Sequence, residues 1–331
     1  MELNLALACG ETPLGEGTSG AVHALTRSID GRNYCVKICK PSDTALAECR
    51  LQASLPPNDG IIRYDFAWVH DKSLHILMER VKGELWDAIE TPEPQPDQEE
   101  RLGWARALLT GLACIHSHGV CHRDISPWNC FLTEATDATP RRLKIGDFGL
   151  GCRVLSTSAG GSGLLFGMHS AGFAALDESA VGSYYSAPEL GSDSGYDPMQ
   201  VDVFSAGMTL FAMWHGIVTS TAAPPTAGEV VDGDLTDCVE LLKQDGTLPA
   251  SWAGAGPIGE LVLRMTSRKA TLRPAAAECV ELLRQATEQA APISEQIDSH
   301  GCFGAFHLFA SGRHRRMKSK RIAPAPTMAV E

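Results

Sequence analysis

Three fragments, far apart in the chain but fixed in order, limit what this sequence can fold into more than any average property does. They are Gly15-Glu16-Gly17-Thr18-Ser19-Gly20-Ala21-Val22, then His122-Arg123-Asp124 with Asn129, then Asp147-Phe148-Gly149. Glycines at 15, 17 and 20 let backbone N–H groups approach an anion with no side chain in the way. A carboxylate at Asp124 and an amide at Asn129 can bracket a reacting group, and Asp147 adds a second carboxylate that, with an amide oxygen, suits a hard cation. Each stretch is weak evidence alone. Together, with Ala187-Pro188-Glu189 completing the order, they require a fold that carries four distant loops to one cleft.

Ahead of residue 79, short runs of β-branched and aromatic residues stand between Gly, Asp and Asn turns: Ala21 to Leu25, Tyr34 to Cys39, Ile61 to Trp68 and Leu74 to Met78. They predict a small antiparallel sheet with Asp30-Gly31 as one hairpin turn. Ser42 or Asp43 caps a predicted helix that runs to Leu55, where Pro56-Pro57 stops it, and Glu48 lies near its middle. Past Gly83 the period changes. Leu102, Ala105, Leu108, Leu109, Leu112 and Ile115 recur at three- and four-residue intervals, one apolar helix face that ends before Gly119. The second half is therefore expected to be mainly helical, with Thr91 to Glu100 an exposed connection into that first long helix. Cys152 to Ala180, rich in Gly, Ser and Ala without a sustained period, reads as a long mobile loop. Beyond about Pro292 the helical pattern fades. Arg313 to Arg321 is a basic run that reads as a solvated tail, with nuclear targeting or an acidic partner as its other readings.

With 331 residues, 44% of them hydrophobic, the chain can bury a sizeable core in one large domain or two. A net charge of −12 and a pI near 5.4 speak against a surface built to cover nucleic-acid phosphates. Eleven cysteines form no Cys-x-x-Cys pair, and many sit in apolar runs such as Tyr34-Cys35-Val36 and Val120-Cys121. They read as buried reduced thiols of a cytoplasmic or nuclear protein, ahead of zinc ligands or disulfides. No basic stretch followed by an apolar core opens the chain, so no secretory signal is expected. Val203 to Val218, interrupted by Ser205, His215 and Gly216, is expected to be a buried helix and not a membrane span.

On its four fragments the chain resembles the eukaryotic protein kinases of serine/threonine type, over residues 9 to 288. The resemblance implies an α+β, two-lobed protein kinase fold: a small mainly β lobe over about 9–79, a helical lobe over about 83–288, and a basic tail over 289–331. It implies an enzyme that transfers the γ-phosphate of ATP, with Mg2+, to Ser/Thr hydroxyls of protein substrates. Leu14, Gly15, Glu16, Gly17, Thr18, Ser19, Gly20 and Val22 would cover the nucleotide. Cys35, Phe131 and the backbone of Glu79 and Val81 would line the adenine slot, with Met78 as gatekeeper; core packing is the other reading of Met78 and Phe131. Lys37 would pair with the α- and β-phosphates and be held by Glu48, Asp124 would accept the substrate proton, and Asn129 and Asp147 would hold the metal. Asp202 would hold the catalytic-loop backbone, and Glu189 would pair with Arg273. Arg123 beside Asp124 implies ordering by a phosphate on the loop, so an upstream activating kinase is an expected partner, with Ser156, Thr157, Ser158, Ser162, Ser170 and Ser179 as its sites. Regulation is expected through this segment, the tail or a partner, because no separate regulatory domain fits ahead of Gly15. Neither nucleic acid nor membrane is an expected partner.

The sequence departs from that pattern at Ser126, where the serine/threonine kinases carry a lysine facing the transferring phosphate; a hydroxyl brings no charge there. The segment from Gly182 to Ala187 is one residue short, with Ser183 in place of the usual threonine. These departures keep a nucleotide-binding pseudokinase, acting as scaffold or allosteric partner, as the alternative. A small-molecule kinase is disfavoured by Ala187-Pro188-Glu189. The stretches Asn129-Cys130-Phe131-Leu132 and Ala47-Glu48 look similar to Wee-type kinases and to the kinases of translation initiation factor 2, while Asp147-Phe148-Gly149 and Ala187-Pro188-Glu189 depart from the Wee pattern.

Overall fold

Five strands, β1 (Leu7–Gly17), β2 (Gly20–Arg27), β3 (Asn33–Cys39), β4 (Tyr64–His70) and β5 (Ser73–Glu79), form an antiparallel sheet in the order β1-β2-β3-β5-β4. The structure is a computed structural model that describes residues 7–17, 20–27, 33–90, 96–136, 139–154, 185–191, 195–215 and 256–290. These all belong to one unit, residues 1–291; a second unit, residues 292–331, lies outside them, as do the Asp30-Gly31 turn and the basic run.

The two-residue period of β3 decides what meets what. Tyr34 and Val36 join Leu25 and Leu77 in a cluster on one face, while Cys49, Leu74 and Ile76 form another to which Cys39 is packed. Helix α1 (Asp43–Ala53) covers this second face. Ser42 caps it, its hydroxyl accepting from the Ala45 N–H at 3.1 Å. The helix ends two residues before the expected Leu55, closed by Ser54, whose hydroxyl donates to the Leu51 carbonyl. The third apolar run also differs from expectation. Its strand begins at Tyr64 and not at Ile61, because the Ile62 N–H donates to the Ile145 carbonyl and the Ile145 N–H to the Gly60 carbonyl. The first residues of that run are thus spent on pairing with Ile145. Gly60 must be glycine: a Cβ there would collide with the Ala107 carbonyl and lie 3.0 Å from Gly111 Cα.

Past β6 (Gly83–Glu84) and α2 (Leu85–Glu90) comes α3 (Gln98–Ser117), whose Asp97 cap accepts from the Glu100 N–H at 2.8 Å. Its Ala105, Leu108, Leu109, Leu112 and Ile115 are fully buried. Each larger one of these contributes about 1.5–3 kcal/mol by leaving water. Helix α3 packs on α4 (Pro198–His215) and α6 (Ala276–Ala290), and α5 (Gly256–Met265) bridges α4 and α6. The buried run expected at Val203 belongs to α4, and residues 216–218 lie outside the described residues. Among the described residues no helix is long and apolar enough to cross a membrane. Three short strands, β6, β8 (Cys130–Leu132) and β9 (Leu143–Ile145), and a two-residue pair, β7 (Val120–Cys121) with β10 (Cys152–Arg153), frame the loops of the site. The result is α+β: a mainly β first lobe and a mainly helical second.

Candidate active site

Lys37 points to the α1 side of β3, and its ammonium lies 2.8 and 3.0 Å from the two Glu48 oxygens. The pair is buried, and the same ammonium is 3.5 Å from Asp147 Oδ1. Burial alone would lower the Lys37 pKa, but the Asp147 and Glu48 carboxylates outweigh it and hold the pKa above its ordinary value. Burial acts on Glu48 in the opposite sense, raising its carboxyl pKa, and Lys37 only partly offsets this. The pair is therefore a positioned cation with its countercharge on one side and Asp147, 38% exposed at its side chain, on the other.

The loop from His122 to Asn129 is held from beneath by Asp202 on α4. Its fully buried carboxylate accepts from the His122 N–H at 2.8 Å, the Arg123 N–H at 2.6 Å and His116 Nε2 at 2.9 Å. His122, also buried, contacts the Gly146 carbonyl through Nε2 at 2.8 Å and packs its ring on Phe148, centroids 4.8 Å apart. This couples the His122-Arg123-Asp124 and Asp147-Phe148-Gly149 fragments directly. Arg123 and Asp147 hold positive φ angles, 65° and 55°, conformations that cost non-glycine residues about 1–3 kcal/mol and collect at functional sites. Asn129 Nδ2 donates to the Asp124 carbonyl at 2.8 Å and to Asp124 Oδ2 at 2.7 Å, so its amide oxygen is left as an acceptor. An amide oxygen at Asn129 and the Asp147 carboxylate are a donor set that fits Mg2+. Burial pushes the Asp124 carboxyl above the usual carboxylate range, with Asp147 and Asp202 adding to it and His122 and the Asn129 bond opposing. Such a carboxylate is a better proton acceptor than a free one.

The expected glycine set stands on the antiparallel pair β1–β2. Gly20 has φ 129°, and a Cβ there would lie 2.5 Å from the Ile38 carbonyl oxygen and 2.8 Å from Cys39 Cβ, so only glycine fits. Leu14, Gly15 and Glu16 are exposed on β1, Gly17 pairs with Gly20, and Val22 pairs with both Gly15 and Lys37. Thr18 and Ser19 lie outside the described residues. At the lobe junction the Cys35 thiol donates to the Glu79 carbonyl at 3.4 Å, while the Glu79 N–H is spent on the Arg63 carbonyl at 2.9 Å. Of the Glu79 backbone groups expected to meet a base, the carbonyl is thus the one turned toward Cys35. Val81 is half-buried beyond it, Met78 packs against the Cys49, Leu74 and Ile76 cluster, and Phe131 lies on β8 between Glu84 and Lys144.

Sequence reasoning missed the partner of Glu79: Lys144 Nζ is 3.1 Å from its carboxylate. A lysine inside the buried triplet Leu143-Lys144-Ile145 was the available signal, since a buried ammonium needs a countercharge. It also missed the stacking of Trp128 on Trp86, centroids 4.2 Å apart, and the edge contact of Trp128 with Tyr185. Arg123, expected to face a loop phosphate, donates from Nε to the Leu150 carbonyl at 2.7 Å and reaches the Tyr196 hydroxyl at 3.4 Å. Glu189 and Arg273 form a bidentate pair, 2.5 and 2.9 Å, with the guanidinium side chain fully buried over the Phe204 ring. Ser126 is buried, and its carbonyl accepts from the Asn129 N–H. Residues 155–184, with Ser183 and the six loop hydroxyls, lie outside the described residues. So does the tail from 291 on.

A family model for the protein kinase domain matches residues 10–282. Among curated relatives, the chain is 28% identical to a probable protein kinase of Dictyostelium discoideum, over 64% of this chain and 30% of that protein. It is 25% identical to the eIF-2-alpha kinase GCN2 of Arabidopsis thaliana, over 81% of this chain and 24% of the relative. With the CBL-interacting serine/threonine-protein kinase 15 of Arabidopsis thaliana it shares 31% identity over 61% of this chain and 45% of the relative. The chain thus spans less than half the length of each of these relatives.

Proposed function

We propose that this chain, which belongs to the protein kinase family, transfers the γ-phosphate of Mg-ATP to serine and threonine hydroxyls of protein substrates. The observation that carries the reading is the Lys37 ammonium, held by Glu48 at 2.8 Å and 3.5 Å from Asp147. Lys37 neutralises the α- and β-phosphates, while the hairpin with Leu14 to Gly20 and Val22 covers them and Cys35, Glu79, Val81 and Phe131 enclose the base. Asn129 and Asp147 hold Mg2+, which supplies positive charge against the phosphate oxygens. Asp124 orients the acceptor hydroxyl and takes its proton, its carboxylate fixed by Asn129 at 2.7 Å. The kinase domain covers about 9–288, with the lobes dividing between 79 and 83. Protein substrates, an upstream kinase acting on the loop that contains Ser156 to Ser179, and a cytoplasmic or nuclear location complete the proposal. The CBL-interacting serine/threonine-protein kinase among the relatives supports it.

Ser126 favours a second reading, a pseudokinase that binds nucleotide as a scaffold, since no lysine stands at the position facing the transferred group. Incorporation of labelled γ-phosphate into a serine/threonine/tyrosine peptide panel separates the two. Transfer by the wild type that collapses in Asp124→Asn supports the enzyme. Binding of Mg-ATP with no variant-sensitive transfer would leave the scaffold.

A further inference from the structure

Cys121 and Cys152 are register partners in the two-residue antiparallel pair of β7 and β10. Partners in such a ladder have Cα atoms about 4.5–5.5 Å apart, inside the window of about 4.4–6.8 Å that a disulfide spans. Both are free and buried. No other cysteine rung exists among the described residues: Cys9, Cys35, Cys39 and Cys130 face Leu25, Met78, Leu74 and Ile145. The place of the pair matters as much as its geometry. Cys121 directly precedes His122-Arg123-Asp124, and Cys152 stands just after Asp147-Phe148-Gly149. Cys121, His116 and Asp202 bring Sγ, a ring nitrogen and a carboxylate oxygen within 4.8 Å of one another, so the thiol abuts the carboxylate that orients the catalytic loop.

We propose that Cys121 and Cys152 are an oxidation site, closed to a disulfide by hydrogen peroxide, and that closure lowers phosphotransfer; the second half rests on the kinase reading. Cys152 is the attacking sulfur and loses its proton as it reacts: the neighbouring Cys121 thiol and, more weakly, Arg123 shift its pKa below its ordinary value against the opposing effect of burial. Its sulfur attacks one peroxide oxygen and the O–O bond breaks. A sulfenic acid forms at Cys152, and the other oxygen leaves as hydroxide, which becomes water. The Cys121 sulfur then attacks the Cys152 sulfur, its proton going to the departing hydroxyl, so that a second water leaves as the S–S bond forms. Two thiols lose two electrons and the peroxide gains them. A two-rung ladder opens locally more readily than a long one, which admits the small oxidant. The bond, about 2.05 Å long, draws β10 onto β7 and displaces Cys121 against Asp202, a shift of the kind that costs about tenfold or more in rate.

The test is peroxide titration of the full chain followed by non-reducing peptide mapping. The expected product is a Cys121–Cys152 cross-link two hydrogens lighter than the reduced peptides, reversed by dithiothreitol, with peptide phosphorylation falling and recovering in step. Cys152→Ser should abolish both the link and the peroxide sensitivity of transfer. Mapping the wild type needs no variant, so a misfolded mutant does not decide the matter. No link at peroxide doses that oxidise other thiols overturns the site, as does a different partner for Cys152. So does stoichiometric zinc retained by the two thiols, read by metal analysis of the purified chain. A link that forms without changing transfer overturns the regulatory half. If the reduced chain transfers nothing at all, the kinase reading fails while the cross-link still reports on the site.

Discussion

Lys144 Nζ lies 3.1 Å from the Glu79 carboxylate, tying the strand that leads to Asp147 to the last residue of the first-lobe sheet. The same carboxylate accepts from the Arg63 N–H at 3.2 Å, so one side chain fastens the junction of the lobes from two directions. Replacing Lys144 by Met keeps its buried stem and removes the charge. The expected loss is about 1–2 kcal/mol of stability, read as a lower urea midpoint at unchanged slope, with the affinity for Mg-ATP altered if Glu79 borders the base as proposed.

Lys37→Met removes the cation between Glu48 and Asp147 and leaves the buried Glu48 carboxyl without its partner. Phosphotransfer should fall by about 10²–10³, while the far-ultraviolet spectrum stays that of the folded chain. A variant with near-wild-type transfer would remove Lys37 from the site.

Asp202→Asn exchanges a carboxylate with three donors around it for an amide with one oxygen. An N–H of His122 or Arg123 then loses its acceptor at a fully buried position, at a cost of about 1–3 kcal/mol. Transfer should drop with little change in the affinity for nucleotide, since Asp202 acts on the loop and not on the ligand. Thermal unfolding and a KM-against-kcat comparison check the two halves separately.

Arg273→Met breaks the bidentate pair with Glu189 and also the bond from Nη1 to the Gln200 carbonyl. Loss of one partner of a buried pair costs about 3–5 kcal/mol. Reduced yield of folded protein and a fall in the unfolding midpoint are the expected results.

Cys35 provides a pH-dependent prediction. Burial pushes its thiol up to about 11, opposed in part by Arg80, so at neutral pH it is the unreactive SH form. Because the thiolate is the nucleophile, alkylation by iodoacetamide should accelerate as pH rises toward that value and slow as it falls. Mg-ATP should protect it, because its thiol lies against the Glu79 carbonyl at the junction. Equal labelling with and without nucleotide would place the base elsewhere.

Much of the architecture was legible in the chain. The period-two runs announced the first sheet, the three- and four-residue spacing announced α3, and Ser42 and Asp43 together announced the start of α1, since each depends on neighbours within a few residues. The run from Ile61 was misread for the opposite reason: its first residues bond to Ile145, more than eighty positions away, and periodicity carries no information about that partner.

The sequence alone determined the family and the inventory of chemical groups, because motif order and residue type are local properties that survive without coordinates. Only the tertiary structure decided the distances at which the expected partners meet, Lys37 with Glu48 and Asp202 with the His122 and Arg123 N–H groups. It alone placed Lys144 on Glu79, Trp128 on Trp86 and Cys121 opposite Cys152. Hydrogen bonds and ion pairs act over a few ångströms, and no pattern along a chain reports distances that arise when strands and helices separated by tens of residues pack on a shared core.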